Sequence, residues 1–152
     1  MRHDGDVNYH QLQKEKTMDK ITTIGLDLAK NVFHVMCCNQ HGKVVSKRML
    51  RRSEVMTFFA HIDPCLVGME ACASAHYWTR QLEIHGHQVK LIPPQFVKPF
   101  VRGNKNDYND ALAIAEAVTR PQMRFATAKT TTQQDIQALH RLRERRIQER
   151  TE

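Results

Sequence analysis

Four acidic residues stand at positions where a carboxylate destabilises the fold unless it binds a partner. Asp27 and Glu70 each follow a short apolar run, and Asp107 and Asp110 open a segment with helical character. A carboxylate at the end of a hydrophobic strand loses hydration that only a cation or a hydrogen-bond donor replaces. Residues three apart on a helix share one face. We therefore predict that Asp27, Glu70, Asp107 and Asp110 converge on a metal site.

Such a carboxylate cluster suits phosphoryl-transfer chemistry. Hard oxygen ligands are those that Mg²⁺ and Mn²⁺ prefer. Two such ions about 3.5–4 Å apart activate the attacking oxygen and stabilise the leaving oxygen of a phosphodiester. Plainer explanations stay open for each acid. The helical pair also fits a well-capped first turn, Asp27 fits a turn, and Glu70 fits an ion pair with Arg80 or Lys90.

Charge and composition point to a polyanionic partner. The chain has 152 residues, 41% of them hydrophobic, which is room for one domain with a core. Lysine and arginine number 23 against 16 acids, giving a net charge of +7. Nucleic acid is the commonest partner of such a basic chain. Composition therefore favours nucleic-acid binding without establishing it.

Two basic segments are candidates for that contact. Between residues 95 and 106, basic and aromatic side chains alternate, and we expect Lys98, Arg102 and Lys105 to contact phosphates. Phe96 and Phe100 either stack on bases or pack in the core, and core packing is favoured. In the final arginine-rich segment, Arg141 and Arg145 either contact nucleic acid or belong to a solvated face.

Cysteines and histidines give no separate metal signal. Cys37, Cys38, Cys65 and Cys72 lack zinc-ligand spacing and are interpreted as reduced thiols of a cytosolic protein. The histidines, His34 among them, show no ligand pattern and are interpreted as ordinary. No apolar run approaches the roughly 20 residues of a membrane span, and no signal peptide is evident. We expect a cytoplasmic protein with no membrane partner.

Hydrophobic periodicity predicts an α/β domain in the order β-β-β-α-β-α-β-α, followed by a last helix. The predicted strands are 21–28, 32–38, 43–49, 66–69 and 88–92, and the predicted helices are 53–61, 74–85 and 107–120. Ser53 is the expected N-cap of the first helix, which buries Val55, Phe58 and Phe59. In the second helix we expect Tyr77, Trp78, Leu82 and Ile84 to face inward. Thr132, with Asp135 three residues later, is the expected start of the last helix.

Domain boundaries follow from the same patterning. Residues 1–17 show no apolar period and are predicted to form a disordered tail, with translation starting naturally at Met18. Residues 18–128 form the predicted catalytic-type domain. Residues 129–152 begin a long basic helix whose pattern continues to the chain end, and we expect the functional protein to be longer.

The segments around the four acids resemble a known family. Ile24-Gly25-Leu26-Asp27-Leu28-Ala29-Lys30, Val67-Gly68-Met69-Glu70-Ala71, Ile92-Pro93-Pro94 and Lys105-Asn106-Asp107-Tyr108-Asn109-Asp110-Ala111 are similar to the N-terminal domain of bacterial insertion-sequence transposases of the IS110 type. The similarity extends from Ile21 to the C-terminus. It departs from many relatives at Ala73, where glycine is usual.

This resemblance implies an RNase H-like (RuvC-like) fold, with a mixed five-stranded sheet flanked by helices and a long C-terminal helix. It implies that Asp27, Glu70, Asp107 and Asp110 form a DEDD catalytic tetrad that binds Mg²⁺ or Mn²⁺. The implied activity is DNA cleavage and strand transfer, with DNA, a structured guide RNA and further copies of the chain as partners. The family's serine nucleophile lies in a later domain, and none of Ser46, Ser53 and Ser74 matches it. The chain alone is therefore expected to lack full activity.

Two alternatives remain open beside the transposase fragment. A stand-alone junction-resolving nuclease uses the same four-carboxylate chemistry in a chain of this size. The second alternative is an inactive fragment that binds nucleic acid or dimerises. Actin-like kinase and ATPase folds are disfavoured because they need glycine-rich phosphate loops, and the six glycines of this chain are not clustered.

Overall fold

The computed structural model describes residues 20–151, and the expectations for residues 1–17 and Met18 fall outside them. Five strands and five α-helices follow one another along this part of the chain, with short 3₁₀ turns at Arg52–Glu54 and Lys98–Phe100. The strands are β1 (Thr23–Leu28), β2 (Val32–Cys38), β3 (Val44–Arg51), β4 (Leu66–Glu70) and β5 (Gln88–Ile92). The helices are α1 (Val55–Ala60), α2 (Ala75–Ile84), α3 (Pro94–Val97), α4 (Asp107–Val118) and α5 (Thr131–Thr151).

The strands form one mixed sheet in the order β3-β2-β1-β4-β5. The first three strands are antiparallel neighbours, whereas β1, β4 and β5 run parallel. Each parallel step requires a crossover, and α1 and α2 provide the two connections. The predicted α/β class, with a mixed five-stranded sheet, one antiparallel edge and a long C-terminal helix, is confirmed. The architecture is that of an RNase H-like fold.

Side chains alternate between two faces of the sheet, because successive residues of a strand point to opposite sides. One face packs against α1 and α2. Its buried members include Ile24, Leu26, Phe33, Val35, Val67, Met69, Phe59, Trp78 and Leu82. The opposite face packs against α4, where Met36 and Cys38 meet the small side chains of Ala111 and Ala115. The sheet is therefore covered on both sides.

A pair of glycines lets α4 approach the sheet closely. Gly25 and Gly68 are direct partners in the parallel register of β1 and β4. A Cβ on Gly25 would overlap the carbonyl oxygen of Ala111 and lie 2.9 Å from the Ala115 Cβ. A Cβ on Gly68 would lie 2.9 Å from the Val118 Cβ. These glycines set the distance between α4 and the two central strands.

The predicted faces of α1 and α2 are partly wrong. Val55 and Phe59 are buried as expected, but Phe58 is only partly buried. In α2, Tyr77 and Ile84 are 43% and 73% exposed rather than inward-facing. The buried stripe of α2 is Ala75, Trp78, Thr79 and Leu82, which follows the i, i+3, i+4, i+7 spacing of one helix face. Tyr77 and Ile84 lie outside that spacing.

Two predicted helix starts are also wrong. Ser53 lies inside a 3₁₀ turn, and Glu54 precedes α1, where its Oε2 accepts a hydrogen bond from the Arg51 N–H at 2.7 Å. Thr130, rather than Thr132, precedes α5. Its Oγ1 accepts from the Gln133 N–H at 3.2 Å, and the Gln133 Oε1 accepts from the Thr130 N–H at 2.9 Å. This reciprocal pair is a capping box two residues earlier than predicted.

The start of α5 is tied to α2. Arg80 Nη1 donates to the Lys129 carbonyl at 2.6 Å and to Gln134 Oε1 at 3.1 Å. The Lys129 N–H donates to His76 Nδ1 at 3.0 Å. Beyond this anchor, the apolar side chains of α5 are at least half exposed, namely Ile136, Leu139, Leu142 and Ile147. None of the helices within residues 20–151 combines the length and apolar character needed to cross a bilayer.

Candidate metal centre

The two strand acids occupy equivalent places in β1 and β4. Asp27 lies two residues after Gly25, and Glu70 lies two residues after Gly68. Because side chains alternate along a strand, both acids lie on the same face as the two glycines, which is the face that α4 covers. Gly25 pairs with Gly68, and two further steps of the same parallel register bring Asp27 beside Glu70. The shared pattern glycine-x-acid places both carboxylates where α4 begins.

The two helix acids lie in the first turn of α4. The N-cap of this helix is Asn106, whose side chain accepts a hydrogen bond from the Tyr108 N–H at 2.8 Å. The cap is thus supplied by an amide, and neither Asp107 nor Asp110 serves as a side-chain cap. The positive end of the helix favours their negative charge. The carboxylates remain available for another partner.

Burial, followed by repulsion from neighbouring acids, raises the pKa of Asp27 from its ordinary value of 3.8 to about 6. The largest cause is loss of hydration at this half-buried side chain, followed by the charges of Asp110 and Asp107; Glu70 adds a smaller repulsion, and nearby His34 opposes it. The pKa of Glu70 is also raised, by burial first and then by Asp110, while Lys98 lowers it. The four acids predicted from the sequence therefore lie within electrostatic reach of one another.

The plainer explanation for Glu70 fails in this structure. Arg80 is engaged by the Lys129 carbonyl and Gln134 at the start of α5. Lys90 Nζ lies 5.5 Å from the centre of the Phe125 ring. Neither cation forms an ion pair with Glu70 among the described residues.

His34, interpreted from the sequence as an ordinary histidine, lies beside this acidic cluster. It is the direct antiparallel partner of Asp27 in the register of β1 and β2. Its Nδ1 lies 3.7 Å from Asp107 Oδ2. Ligand atoms of Asp27, His34 and Asp107 all lie within 4.8 Å of one another. The short connection between β1 and β2 was the signal in the sequence, because a tight hairpin fixes which residues face each other.

The basic residues predicted to contact phosphate differ in position. Lys98 is exposed and close enough to Glu70 to lower the pKa of its carboxyl. Lys105 is exposed just before α4. Arg102 Nη2 lies 3.6 Å from Glu116 Oε2, with 80% of its side chain exposed. These three cations therefore lie on the segment that leads into the helix carrying Asp107 and Asp110.

The remaining candidates for nucleic-acid contact, in the aromatic and arginine-rich segments, lie in different surroundings. Phe100 packs on the buried cluster that includes Val97 and Ile114, with the Arg120 guanidinium 5.4 Å from its ring centre. Core packing is therefore confirmed for Phe100, whereas Phe96 is 37% exposed. Arg141 and Arg145 are exposed on α5. That helix starts against α2, on the opposite face of the sheet from α4.

All four cysteines are free. Burial raises the pKa of the Cys37 thiol to about 11 and that of Cys65 to about 12. Cys65 also contacts His87, a buried imidazole whose Nδ1 accepts from the Cys65 N–H at 3.2 Å and whose Nε2 lies 2.9 Å from the Phe59 carbonyl oxygen. His87 is therefore a structural bridge between α1 and β4, as its interpretation as an ordinary histidine implied.

The fold and the site define a class: an RNase H-like α/β domain with an acidic cluster at the carboxyl ends of its two central parallel strands. Comparison with known families gives a narrower assignment. Residues 24–152 match the family of DEDD transposases of the IS110 type, described as "Transposase". The chain belongs to this family.

Individual relatives agree with the family match. The chain is 53% identical over 131 residues to a "Probable family 20 transposase" of Pseudomonas aeruginosa, covering 86% of this chain and 39% of that protein. It is 49% identical over 133 residues to the "Transposase for insertion sequence element IS1328" of Yersinia enterocolitica, covering 88% of this chain and 40% of that protein. A Coxiella burnetii transposase, for element IS1111A, is 42% identical over 139 residues, which are 91% of this chain and 38% of that protein. The chain therefore spans about two fifths of the length of these relatives.

Proposed function

We propose that this chain is the metal-binding catalytic part of an insertion-sequence transposase, with Asp27, Glu70, Asp107 and Asp110 as the ligands of Mg²⁺ or Mn²⁺. The observation that carries the proposal is the carboxyl of Asp27, whose pKa is raised to about 6 by burial and by the acids around it. Four acids gathered on one side of a fold destabilise it unless a cation offsets their repulsion.

The donor set fits a hard divalent ion. Carboxylate oxygens supply the ligands that Mg²⁺ and Mn²⁺ take. Among residues 20–151, no side chain donates a hydrogen bond to Asp27, Glu70 or Asp110, so their oxygens are not committed to another partner. When bound, the ion would polarise a DNA phosphodiester toward cleavage and strand transfer.

The chain's own residues would position the substrate around that ion. The positive end of α4 favours the negative charge of Asp107 and Asp110, which lie in its first turn. Lys98, beside Glu70, supplies a positive charge for a phosphate of the bound strand. Arg102 and Lys105 extend the positive surface along the same segment.

A Mn²⁺ titration followed by thermal unfolding tests the metal site. At about 100 times the dissociation constant, binding adds roughly 2.7 kcal/mol to the free energy of unfolding. For a domain of this size, that raises the melting temperature by about 5–11 °C. Asp27→Asn and Asp107→Asn should abolish this rise while leaving nucleic-acid affinity largely intact.

Asp63→Asn is the matched control, because this exposed acid lies in the turn before β4, at the other end of that strand from Glu70. Its Mn²⁺ response should equal that of the parent chain. If Asp27→Asn and Asp107→Asn bound Mn²⁺ as tightly as the parent chain, the tetrad assignment would be wrong. An absent response in the parent itself would favour the inactive, nucleic-acid-binding fragment.

Salt dependence of DNA binding tests the basic segment. Arg102→Ala with Lys105→Ala should weaken duplex binding and lower the slope of log affinity against log salt by about 0.9 per lost phosphate contact. The paired variant Arg141→Ala with Arg145→Ala tests the arginine-rich helix in the same way. An unchanged slope in the first variant would move the contact away from the segment before α4.

The partners of a complete protein follow from the family and are part of the proposal. They are DNA, a structured guide RNA and further copies of the chain, in the cytoplasm, where free thiols such as those of this chain stay reduced. Family membership favours this function over the stand-alone junction-resolving nuclease. A junction-shaped DNA bound more tightly than linear DNA, with no effect of any element-derived RNA, would reverse that preference.

A further inference from the structure

His34 lies at the acidic cluster with one ring nitrogen unused. The residue is only 9% exposed, and its Nδ1 is buried without a hydrogen-bond partner among the described residues. Asp107 Oδ2 is 3.7 Å away, which is beyond hydrogen-bond distance. A buried polar atom without a partner destabilises a fold, so its presence calls for an explanation.

Packing holds this imidazole in one orientation. The ring meets the Tyr108 ring edge-to-face, with centroids 4.8 Å apart and planes at 87°. The backbone of His34 is fixed by its pairing with Asp27 on one side and Met49 on the other. A ligand atom held by rigid elements loses little entropy when it binds an ion. His34 is therefore preorganised, as a packing histidine would also be, but its Nδ1 has no hydrogen-bond partner among the described residues and lies 3.7 Å from Asp107 Oδ2.

We infer that His34 is a nitrogen ligand of the ion held by Asp27 and Asp107, so that the site has mixed nitrogen and oxygen ligands on its β2 side. This inference rests on the proposed metal-binding function and goes beyond the four carboxylates. The three side chains already bring ligand atoms within 4.8 Å of one another.

A nitrogen ligand changes which ion the site prefers. Mg²⁺ takes oxygen ligands almost exclusively, whereas imidazole suits transition-metal ions, whose affinity for nitrogen sites rises from Mn²⁺ through Co²⁺ and Ni²⁺. Compared with a site of carboxylates alone, this site should therefore have a stronger preference for Mn²⁺ and Co²⁺ over Mg²⁺. His34→Asn keeps a neutral polar side chain and offers oxygen in place of the imidazole nitrogen.

Pulsed electron paramagnetic resonance of the Mn²⁺-loaded full chain tests the bond directly. With less than one equivalent of Mn²⁺, the parent chain should show the hyperfine coupling of a directly bonded ¹⁴N nucleus. Growth with ¹⁵N-labelled histidine should replace this coupling by that of ¹⁵N, without any change of sequence. The coupling should disappear in His34→Asn and persist in His140→Asn, a control histidine exposed on α5.

Calorimetric titration gives the second measurement. His34→Asn should weaken Mn²⁺ binding by about tenfold or more, the range that even a supporting partner is worth to a metal site. Mg²⁺ binding should weaken less, so the preference for Mn²⁺ over Mg²⁺ should fall. Thermal unfolding without metal shows whether His34→Asn is folded. If this variant does not fold, the ¹⁵N-labelling experiment on the parent chain still tests for a nitrogen ligand.

The outcomes separate this inference from the proposed function. Tight Mn²⁺ binding without nitrogen coupling overturns the role of His34 and leaves the carboxylate site intact. Nitrogen coupling that survives in His34→Asn assigns the nitrogen to another histidine and also overturns the inference. Mn²⁺ binding no tighter than in Asp107→Asn overturns both the inference and the proposed metal site.

Discussion

Replacing Asp27 by asparagine should make the metal-free protein more stable, although it removes a proposed metal ligand. The folded chain holds the proton of this carboxyl more tightly than the unfolded chain does, because the pKa rises from 3.8 to about 6 on folding. That extra stability is fully present below pH 3.8 and is lost as the pH rises through about 6. At neutral pH the folded parent chain therefore carries the cost of an ionised Asp27.

The size of this cost follows from the shift. A carboxyl pKa raised from 3.8 to about 6 corresponds to at most about 3 kcal/mol. Asp27 is only half-buried, and solvent screening reduces the cost to about 1–2 kcal/mol. Asparagine has nearly the same shape and no charge. Asp27→Asn should therefore raise the melting temperature at pH 8 by about 2–8 °C.

Thermal unfolding of both proteins in a metal chelator, at intervals from pH 4.5 to pH 8, measures the effect. The difference between variant and parent cancels the titration of all other groups. It should grow from pH 4.5 to about pH 6, where the unfolded carboxyl is ionised while the folded one still holds its proton, and should level off above about pH 6. Asp63→Asn should show no such growth. A difference that stays flat across this range, or a variant less stable than the parent at pH 8, would refute the electrostatic account of the cluster.

Three further predictions concern the scaffold of the site. In urea unfolding, Gly25→Ala should lower the free energy of unfolding by about 3 kcal/mol or more, because the new Cβ meets the backbone of α4. Gly68→Ala should lower it by about 1–2 kcal/mol, because its new Cβ meets only side chains. Equal losses in the two variants would contradict this packing. Asn106→Ala should lower the free energy of unfolding by about 1 kcal/mol through loss of the N-cap, and the variant should keep the Mn²⁺ response. Loss of that response would show that the cap is required for the metal site. His87→Ala should cost about 2–3 kcal/mol by leaving the Cys65 N–H unpaired, and an unfolding curve unchanged from the parent would exclude a structural bridge.

Local patterns were sufficient to predict most of the fold. Hydrophobic alternation, with breaks at glycine and proline, gave β2 and β5 with the same bounds that the structure shows. The second helix was predicted to end at residue 85, and Gly86 has a φ of +86°, the left-handed conformation that glycine adopts at a helix end. These features depend on neighbours in sequence, which is why sequence alone suffices for them.

The remaining features depend on which elements meet. The exposure of Tyr77 and Ile84 depends on how α2 lies across the sheet. The apolar character of a side chain does not indicate the orientation of its helix. The start of α5 was ambiguous because three consecutive threonines can each supply a cap, and Gln133 decided in favour of Thr130. His34 escaped notice because its partners come from β1 and α4, which are distant in the chain until the hairpin register and helix packing are known.

The four acids themselves were recognisable because each stands in a distinctive local context. Asp27 and Glu70 follow apolar strands, and Asp107 and Asp110 share a helix face. Their common location could not be derived from spacing alone. It results from parallel pairing of β1 with β4 and from the close approach of α4 over the paired glycines. Whether these acids hold an ion stays a prediction for the titrations described above.

The paired glycines let α4 pack directly against β1 and β4. Two of the acids belong to the strands and two to this helix, so an ion bound by all four would join elements that otherwise meet through packing alone. Amide hydrogens of α4 should then exchange with solvent more slowly when Mn²⁺ is present, while those of α1, on the opposite face, keep their rate. Occupancy of the site would in this way determine how firmly one helix stays docked, and metal concentration would control local order as well as chemistry.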